Sequence, residues 1–249
     1  MNDLAHRLGS VTQRIQQAAT QANRDPSELT LIVVSKFHPA QMVLDLIDLG
    51  VTEFGENKDQ EAAPKAAEVA AAIEARGAAS AHRWHFVGQL QSNKVKSVLR
   101  YASAIHSLDR PSLLSALDKE TQKVNTALLE AGQGEAKPID VFIELNLTGD
   151  PERGGIEPHL VSEFALQVLG VAGVNLQGVM GVASVASPTD PLVAERDFET
   201  ILRASDAVRL LKPEAKFISA GMSGDFETAL RFGATHLRIG TAITGQRAY

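Results

Sequence analysis

The sequence contains no cysteine. Disulfide bridges, thiolate nucleophiles and zinc–thiolate centres are therefore excluded as sources of structure or chemistry. The same absence is compatible with a reducing compartment, and we expect the protein to be cytoplasmic. We expect no metal ion to be shared by His82 and His85, because residues three apart on a predicted strand face opposite sides.

Long apolar runs and basic clusters are also missing. No uninterrupted apolar run is long enough to span a membrane, and residues 1–7 lack the apolar core of a signal peptide. No basic run is longer than a pair, and the formal net charge is −6. We therefore expect neither nucleic acid nor an anionic membrane as the main partner, whereas a small anionic ligand needs only a local positive pocket.

The fold is predicted from the alternation of short apolar segments with helical segments. Eight such strands, each but the last followed by a helix, occur without a linker rich in proline, glycine or serine. This pattern predicts the α/β class and a single domain over residues 1–249, a (β/α)8 TIM barrel with an extra N-terminal helix over Asn2–Asn23. An open doubly wound sheet is the alternative, but no predicted strand is followed by G-x-G-x-x-G. The predicted strands are Thr30–Val34, Thr52–Gly55, Arg83–Val87, Ala104–Ser107, Ile139–Leu145, a strand within Gly173–Val182 that ends near Met180, Ala215–Ser219 and His236–Ile239.

A lone lysine, Lys36, follows the first predicted strand, whose β-branched residues are typical of a buried parallel strand. At the carboxyl end of that strand, Lys36 is expected to point into the mouth of the fold. Burial there would disfavour the ammonium form, lower the pKa of Lys36 and make its amine a nucleophile. The alternative is that the side chain leaves the core and extends to solvent.

Active sites of (β/α)8 barrels lie at the carboxyl ends of the strands, and a defined set of residues ends or follows the predicted strands here. They are Lys36, Asn57, His85 with Gly88, Asn146, Met180, Ser219 and Arg238. Two glycine turns, Ser219–Ser223 and Arg238–Thr241, follow the last two strands, the usual place of a phosphate site in this architecture. Ordinary tight turns are the alternative explanation.

A lysine combined with a phosphate site suggests two chemistries. One is a class I aldolase, in which the lysine forms a Schiff base with a sugar phosphate; the other is pyridoxal 5′-phosphate (PLP) held on the lysine and by its phosphate. Arg238 favours PLP, because strand alternation lets it face the ring of a cofactor whose phosphate the following loop holds. An arginine can only donate to the pyridine nitrogen, and it would keep that nitrogen unprotonated.

Six stretches of the sequence resemble the pyridoxal phosphate homeostasis proteins, also called the proline synthase co-transcribed family. They are Val34–Pro39, Phe54–Lys58, Trp84–Lys94, His106–Asp109, Gly221–Ser223 and Arg238–Ile243. The resemblance runs from the first strand to the last, and Phe37, His38 and Thr244 depart from it beside the expected site. It implies a fold like the N-terminal barrel of alanine racemases and a protein that carries PLP in vitamin B6 homeostasis, with no established turnover.

The resemblance also implies roles for individual residues. Lys36 would form the internal aldimine, and Arg238 would face the pyridine nitrogen. Asn57 would lie near the ring substituents and Met180 against a ring face, although Met180 is equally explained as core packing. The residues that would hold the phosphate are Ser219, Ser223, Gly240 and Thr241.

A PLP-dependent amino-acid racemase is the alternative function. Two-base racemization in the resembling barrels uses a tyrosine from an additional domain, whereas the only tyrosines here are Tyr101 and Tyr249. We therefore expect a carrier without catalytic turnover. PLP-dependent apoenzymes are its expected partners, and a monomer is the expected state.

Overall fold

A computed structural model describes residues 2–77, 81–134, 137–150, 152–184 and 191–246. Within these ranges, eight parallel strands close into one barrel in sequence order, which confirms the predicted (β/α)8 architecture. The strands are β1 Thr30–Val34, β2 Glu53–Glu56, β3 Arg83–Phe86, β4 Ala102–Leu108, β5 Ile139–Glu144, β6 Val174–Met180, β7 Phe217–Ser219 and β8 His236–Ile239.

Helices on the outside connect the strands, and an N-terminal helix precedes the barrel as predicted. The α-helices in the described ranges are α1 Asn2–Gln21, α2 Ala40–Asp48, α3 Asp59–Ala75, α4 Val95–Val98, α5 Pro111–Glu130, α6 Val161–Leu169, α7 Pro191–Leu211, α8 Phe226–Arg231 and α9 Thr241–Thr244. Short 3-10 turns lie at Pro26–Glu28, Ser92–Lys94 and Pro158–Leu160. No helix in the described ranges combines the length and the apolar character that crossing a bilayer requires.

The barrel closes where β1 pairs with β8. Ile32 lies opposite Arg238 and Val33 opposite Ile239 in this parallel register. Since successive side chains of a strand alternate between its faces, Val33 and Ile239 pack with Phe54 in the apolar layer under the helices. Ile32 and Arg238 are left for the barrel interior. The carboxyl end of β1 and that of β8 are therefore neighbours on one rim.

Helix α1 packs beside this closure. The Arg7 Nε donates to the carbonyl oxygen of Ile243 at 2.7 Å. Farther along the helix, Arg14 pairs with Glu227 and lies 4.8 Å from the ring centroid of Phe226. The added helix thus covers α8 and α9, the two helices that follow the last two strands.

The bounds of several strands differ from the predicted ones by one or two residues, and two predictions at the carboxyl rim differ in kind. The sequence predicts a helix over Ser223–Phe232, whereas α8 begins at Phe226, because the Met222 N–H donates to Asp225 Oδ1 at 2.6 Å and holds the preceding residues in a turn. The last strand, predicted to have no helix after it, is followed by the four-residue α9. Both differences lie on the rim where the site is expected.

Candidate functional site

Lys36 lies on the carboxyl rim directly after β1, but its side chain is exposed. The predicted burial of this amine is therefore wrong, and the alternative, a side chain that extends to solvent, is the arrangement observed. Phe37 follows with a left-handed backbone, φ +68°, which non-glycine residues rarely adopt. Its ring lies 5.9 Å from Lys36 Nζ and 5.7 Å from Lys58 Nζ. The turn thus places two ammonium groups around one aromatic ring at the rim.

A buried ionic cluster holds the chain just before Lys36. Lys65 Nζ lies 2.6 Å from Glu56 Oε1 and 3.1 Å from Glu61 Oε1, and it donates to the Ser35 carbonyl oxygen at 2.9 Å. Ser35 Oγ donates to the same Glu56 oxygen at 2.8 Å. Burial raises the pKa of Glu56, and the hydrogen bond and charge of Lys65 oppose this rise. The cluster fixes the backbone that presents Lys36.

Arg238 lies in the barrel interior below the rim, where it is 5% exposed. Its Nη1 donates to Ser219 Oγ at 2.6 Å, and its Nη2 donates to the Gly181 carbonyl oxygen at 2.9 Å. Burial lowers the pKa of Arg238 to about 10, against the opposing charges of Glu144 and Asp225. The guanidinium therefore stays protonated near neutral pH and can act there only as a donor.

The predicted phosphate residues occupy different depths of the rim. Ser219 is fully buried, and its hydroxyl contacts Arg238 and His106. Ser223 is half-buried and Thr241 is exposed, so both hydroxyls lie nearer the surface than that of Ser219. In the first of the two glycine turns, Gly221 has φ +91°, a conformation that favours glycine. The turns after β7 and β8 meet through the Arg238 N–H, which donates to the Gly221 carbonyl oxygen at 2.9 Å.

Asn57 and Met180 lie on opposite sides of this interior. Asn57 Oδ1 is buried and has no hydrogen-bond partner among the described residues. It borders a cavity of about 580 Å³ that is also lined by Lys58, Phe86, Gln89 and Lys94. Met180 ends β6, is 2% exposed and pairs in register with Ser219. Asn57 thus lines a cavity at the rim and has a buried acceptor that no described residue uses, whereas Met180 is packed in the core.

Asn146 also follows a strand, but its side chain forms hydrogen bonds within its own loop. Its Nδ2 donates to the carbonyl oxygens of Asp150 and Arg153, and its Oδ1 accepts from the N–H and the hydroxyl of Thr148. All polar atoms of its side chain are hydrogen-bonded, so the residue stabilises the loop after β5.

Gly88 lies directly against the Asn57 backbone, so a Cβ at position 88 would overlap that backbone.

Glu144 is a buried carboxyl that faces the same interior. Its Oε2 has no hydrogen-bond partner among the described residues. Burial and the charge of Asp109 raise its pKa to about 7, against Arg238 and Arg110, which favour the ionised form. The group therefore changes charge near neutral pH close to the guanidinium.

Tyr101 is the described tyrosine; Tyr249 lies outside the described residues. The Tyr101 hydroxyl lies 3.4 Å from Asp59 Oδ1, and burial with the nearby negative charge raises its pKa. This hydroxyl is held protonated and is engaged outside the barrel interior, so it is poorly suited to remove a proton from a substrate.

A larger cavity, about 690 Å³, lies at the opposite rim, between Arg83, Lys137, Asp140 and Asn175. These residues precede or begin their strands, and the strand-end lysine and the glycine turns are not among those that line it. The chemistry at the carboxyl rim, rather than cavity size, identifies the candidate site.

A barrel with a lysine after the first strand and a buried arginine and glycine at the last has the architecture of the alanine racemase N-terminal domain. The family model described as "Alanine racemase, N-terminal domain" matches residues 7–248. The pyridoxal phosphate homeostasis protein of Mycobacterium leprae (strain TN) is 37% identical over 248 residues, which cover 98% of this chain and 93% of the relative.

Two solved structures are similar over nearly the whole barrel. The crystal structure of an unknown protein from Bifidobacterium adolescentis has a TM-score of 0.83 and 28% identity, covering 97% of this chain and 94% of that chain. PipY of Synechococcus elongatus PCC7942 with PLP bound has a TM-score of 0.77 and 26% identity, covering 97% and 100%. The chain belongs to the pyridoxal phosphate homeostasis protein family, as the sequence resemblance predicted.

The structure also brings together residues that sequence reasoning did not connect. At a strand end, Glu56 could be catalytic in an aldolase or could pair with Lys58 or with loop N–H groups; in the structure it pairs with Lys65 from α3. His85 is predicted to be a hydrogen-bonded packing residue, and its ring nitrogens do lie within hydrogen-bonding distance of Glu53 and His106. Polar residues at inward positions of otherwise buried strands are the sequence feature that indicates such contacts.

Proposed function

We propose that this protein binds PLP on Lys36 and carries it in the cytoplasm as part of PLP homeostasis, without catalytic turnover. The observation that carries the proposal is Arg238, a buried guanidinium that lies beneath the rim on which Lys36 stands, on the strand next to that of Lys36. Its side chain bonds to Ser219 and Gly181, with no direct carboxylate contact among the described residues, and such a buried cation is suited to an electron-rich ring nitrogen and a nearby phosphate. PipY, the relative solved with PLP bound, supports the same cofactor.

The donor set at the rim fits PLP on three counts. The Lys36 amine supplies the attachment point, and the glycine turns after β7 and β8 with Ser223, Gly240 and Thr241 supply donors for a phosphate, while the Ser219 hydroxyl contacts Arg238 and His106 instead. Asn57 lines a cavity at the same rim, and its buried Oδ1 has no hydrogen-bond partner among the described residues. When bound, PLP supplies a carbonyl that condenses reversibly with amines, and this reversibility suits a carrier.

The proton-transferring groups of the interior argue for carriage rather than turnover. Burial lowers the pKa of His236 to about 3 and that of His106 well below its usual value, so neither ring is a ready proton carrier. The Tyr101 hydroxyl contacts Asp59 outside the interior. The family assignment favours PLP over the sugar-phosphate substrate of a class I aldolase. Glu144, whose pKa burial raises to about 7, could transfer a proton near neutral pH, but a racemase would need two such groups near the reacting carbon.

The attachment is tested by absorption spectroscopy. PLP-saturated protein should absorb at about 420 nm, and borohydride reduction followed by peptide mapping should label Lys36. The band should be absent from Lys36→Ala and unchanged in Lys96→Ala, since Lys96 is exposed on α4 away from the rim. A band that persists in Lys36→Ala would overturn the assignment of the lysine.

The phosphate contacts are tested by comparing PLP with pyridoxal, which has the same ring but no phosphate. Ser223→Ala should weaken PLP retention by about 1–2 kcal/mol, the scale of a lost charge-assisted hydrogen bond. It should leave pyridoxal retention unchanged. An equal loss for both ligands would show that the hydroxyl acts on the ring or on the fold instead.

Carriage and catalysis are separated with single-enantiomer amino acids. The loaded protein should leave their optical rotation unchanged and should restore activity to a PLP-dependent apoenzyme, which is the partner we propose. Loss of optical rotation at enzyme-like rates would refute the carrier function. Light scattering should give the mass of one chain, since we propose a monomer.

A further inference from the structure

A series of polar side chains crosses the barrel interior beneath the proposed site. Glu53 Oε2 lies 2.7 Å from His85 Nε2, and His85 Nδ1 lies 2.8 Å from His106 Nε2. His106 Nδ1 lies 2.8 Å from Ser219 Oγ, which accepts from Arg238 Nη1 at 2.6 Å. We call these five residues the axial series. It joins a carboxylate near the amino rim to the guanidinium below the carboxyl rim.

The direction of the axial series follows from counting its protons. Arg238 can only donate, so Ser219 Oγ accepts from it and has one proton left to give. His106 Nδ1 is the other atom in contact with that hydroxyl, so it accepts this proton. Its Nε2 therefore carries the ring proton and donates to His85 Nδ1. His85 in turn carries its proton on Nε2 and donates it to Glu53.

The opposite direction is disfavoured by burial. It would require both His106 and Arg238 to donate to Ser219, whose own proton would then have no acceptor among the described residues. Burial, with the nearby positive charges, lowers the pKa of His106 well below its usual value, so a doubly protonated ring is also disfavoured. Phe142 stacks on the His106 ring at 4.2 Å and fixes its plane. One orientation of every proton therefore satisfies the whole series.

We propose that Glu53, His85 and His106 are positioning residues of the cofactor site, which act through Ser219 to orient Arg238. Each middle member of the axial series has its accepting atom on the side of the guanidinium and its donating group on the side of Glu53. The aligned dipoles therefore stabilise the buried positive charge of Arg238, although three members of the series lie between Glu53 and that charge. With Nη1 held by Ser219 and Nη2 by Gly181, the guanidinium has a fixed plane from which its remaining N–H bonds extend. The role at the cofactor rests on the proposed function.

The direction of the series is tested in the cofactor-free, full-length protein by ¹⁵N NMR of the histidine rings. His85 and His106 should each show one proton on Nε2, with Nδ1 in the accepting state. Variants His85→Gln and His106→Gln assign the two signals. A proton on His106 Nδ1 in the wild-type protein would overturn the proposal, and this measurement needs no PLP.

The positioning role is tested with Glu53→Gln, which keeps the size of the side chain but removes the carboxylate that fixes the direction. We expect the Nδ1–H tautomer to appear at His106, PLP retention to fall about three- to tenfold, and the spectrum of bound PLP to shift. The matched control is Glu214→Gln, at an exposed glutamate, which should change none of the three. Unchanged tautomers and retention in Glu53→Gln would refute the positioning role.

The two proposals fail separately. If the wild-type protein shows the expected tautomers but retains no PLP, the proposed function is wrong and the direction of the axial series stands. If it retains PLP on Lys36 and His106 carries its proton on Nδ1, the proposed function stands and the axial series is wrong. Should Glu53→Gln not fold, the wild-type tautomers still decide the direction.

Discussion

Replacing Lys65 with methionine tests the cluster that holds Lys36 in place. The Lys65 side chain is 5% exposed and that of Glu56 is fully buried, with 2.6 Å between their charged atoms. In Lys65→Met, the Glu56 carboxylate keeps its bond from Ser35 but loses its counter-ion. Breaking a buried pair on one side typically costs about 3–5 kcal/mol, because a charge is left without compensation.

Protonation of Glu56 limits this cost. Keeping a carboxyl of ordinary pKa, about 4.3, protonated at pH 7 costs about 4 kcal/mol, and at pH 5 it costs about 1 kcal/mol. The folded variant should therefore bind a proton that its unfolded state releases. Between these pH values the folded state binds more protons than the unfolded state, so stability falls as pH rises. The deficit of Lys65→Met relative to wild type should be about 4 kcal/mol at pH 7 and shrink to about 1 kcal/mol at pH 5.

Urea unfolding of the cofactor-free protein at both pH values measures this difference. The double variant Glu56→Gln/Lys65→Met removes both charges and should recover most of the lost stability, with no comparable pH dependence. Because Lys65 also holds the Ser35 carbonyl, the single variant should retain PLP less well. A deficit that is equal at pH 5 and pH 7, or a double variant no more stable than the single one, would refute the reasoning.

Three further perturbations address the interior. Arg238→Glu should favour protonation of the pyridine nitrogen and shift the spectrum of bound PLP; an unchanged spectrum at full occupancy would place the side chain elsewhere. Because burial raises the pKa of Glu144 to about 7, wild-type stability should fall by roughly 3 kcal/mol as pH rises from about 4.5 to 7, and Glu144→Gln should remove that part of the dependence measured by urea unfolding. A Cβ at Gly178 would overlap the Phe217 carbonyl oxygen, whereas one at Gly224 would meet nothing within 4 Å. Gly178→Ala should therefore lower the melting temperature and Gly224→Ala should not.

The strands whose predictions agree best with the structure are those with the simplest patterns. The boundaries of β1 and β8 match the predicted Thr30–Val34 and His236–Ile239, since a continuous β-branched or alternating run bounded by polar residues leaves little freedom. The start of α8 was predicted too early, at Ser223. There a side-chain bond from Asp225 holds a turn that helix propensity does not report.

The parts of the candidate site that depend on strand direction, and on the alternation of side chains between the two faces of a strand, are predictable from the sequence. Parallel strands place their carboxyl ends on one rim, so Lys36 and the two glycine turns meet there, and alternation places Arg238 inside. The exposure of Lys36 is the alternative that the sequence leaves open, because a strand pattern alone does not decide whether a lysine at the strand end stays in the mouth or extends to solvent. The contact between Glu56 and Lys65 was missed, since it depends on which rotamer a helix side chain adopts toward the sheet.

The interior also supplies physical reasons for the proposed separation of PLP binding from turnover. Holding PLP requires an amine, phosphate donors and a fixed charge near the ring nitrogen, and these are the groups that we propose at the rim and at Arg238. Catalysis at carbon requires groups that gain and lose a proton near neutral pH. In the axial series, Ser219 and His106 each donate their proton to the next member and accept from the preceding one, so they orient Arg238 and are not free to accept a substrate proton. Glu144, whose pKa burial raises to about 7, is one group that could exchange a proton, whereas two-base racemization needs two such groups and the proposed carrier needs none.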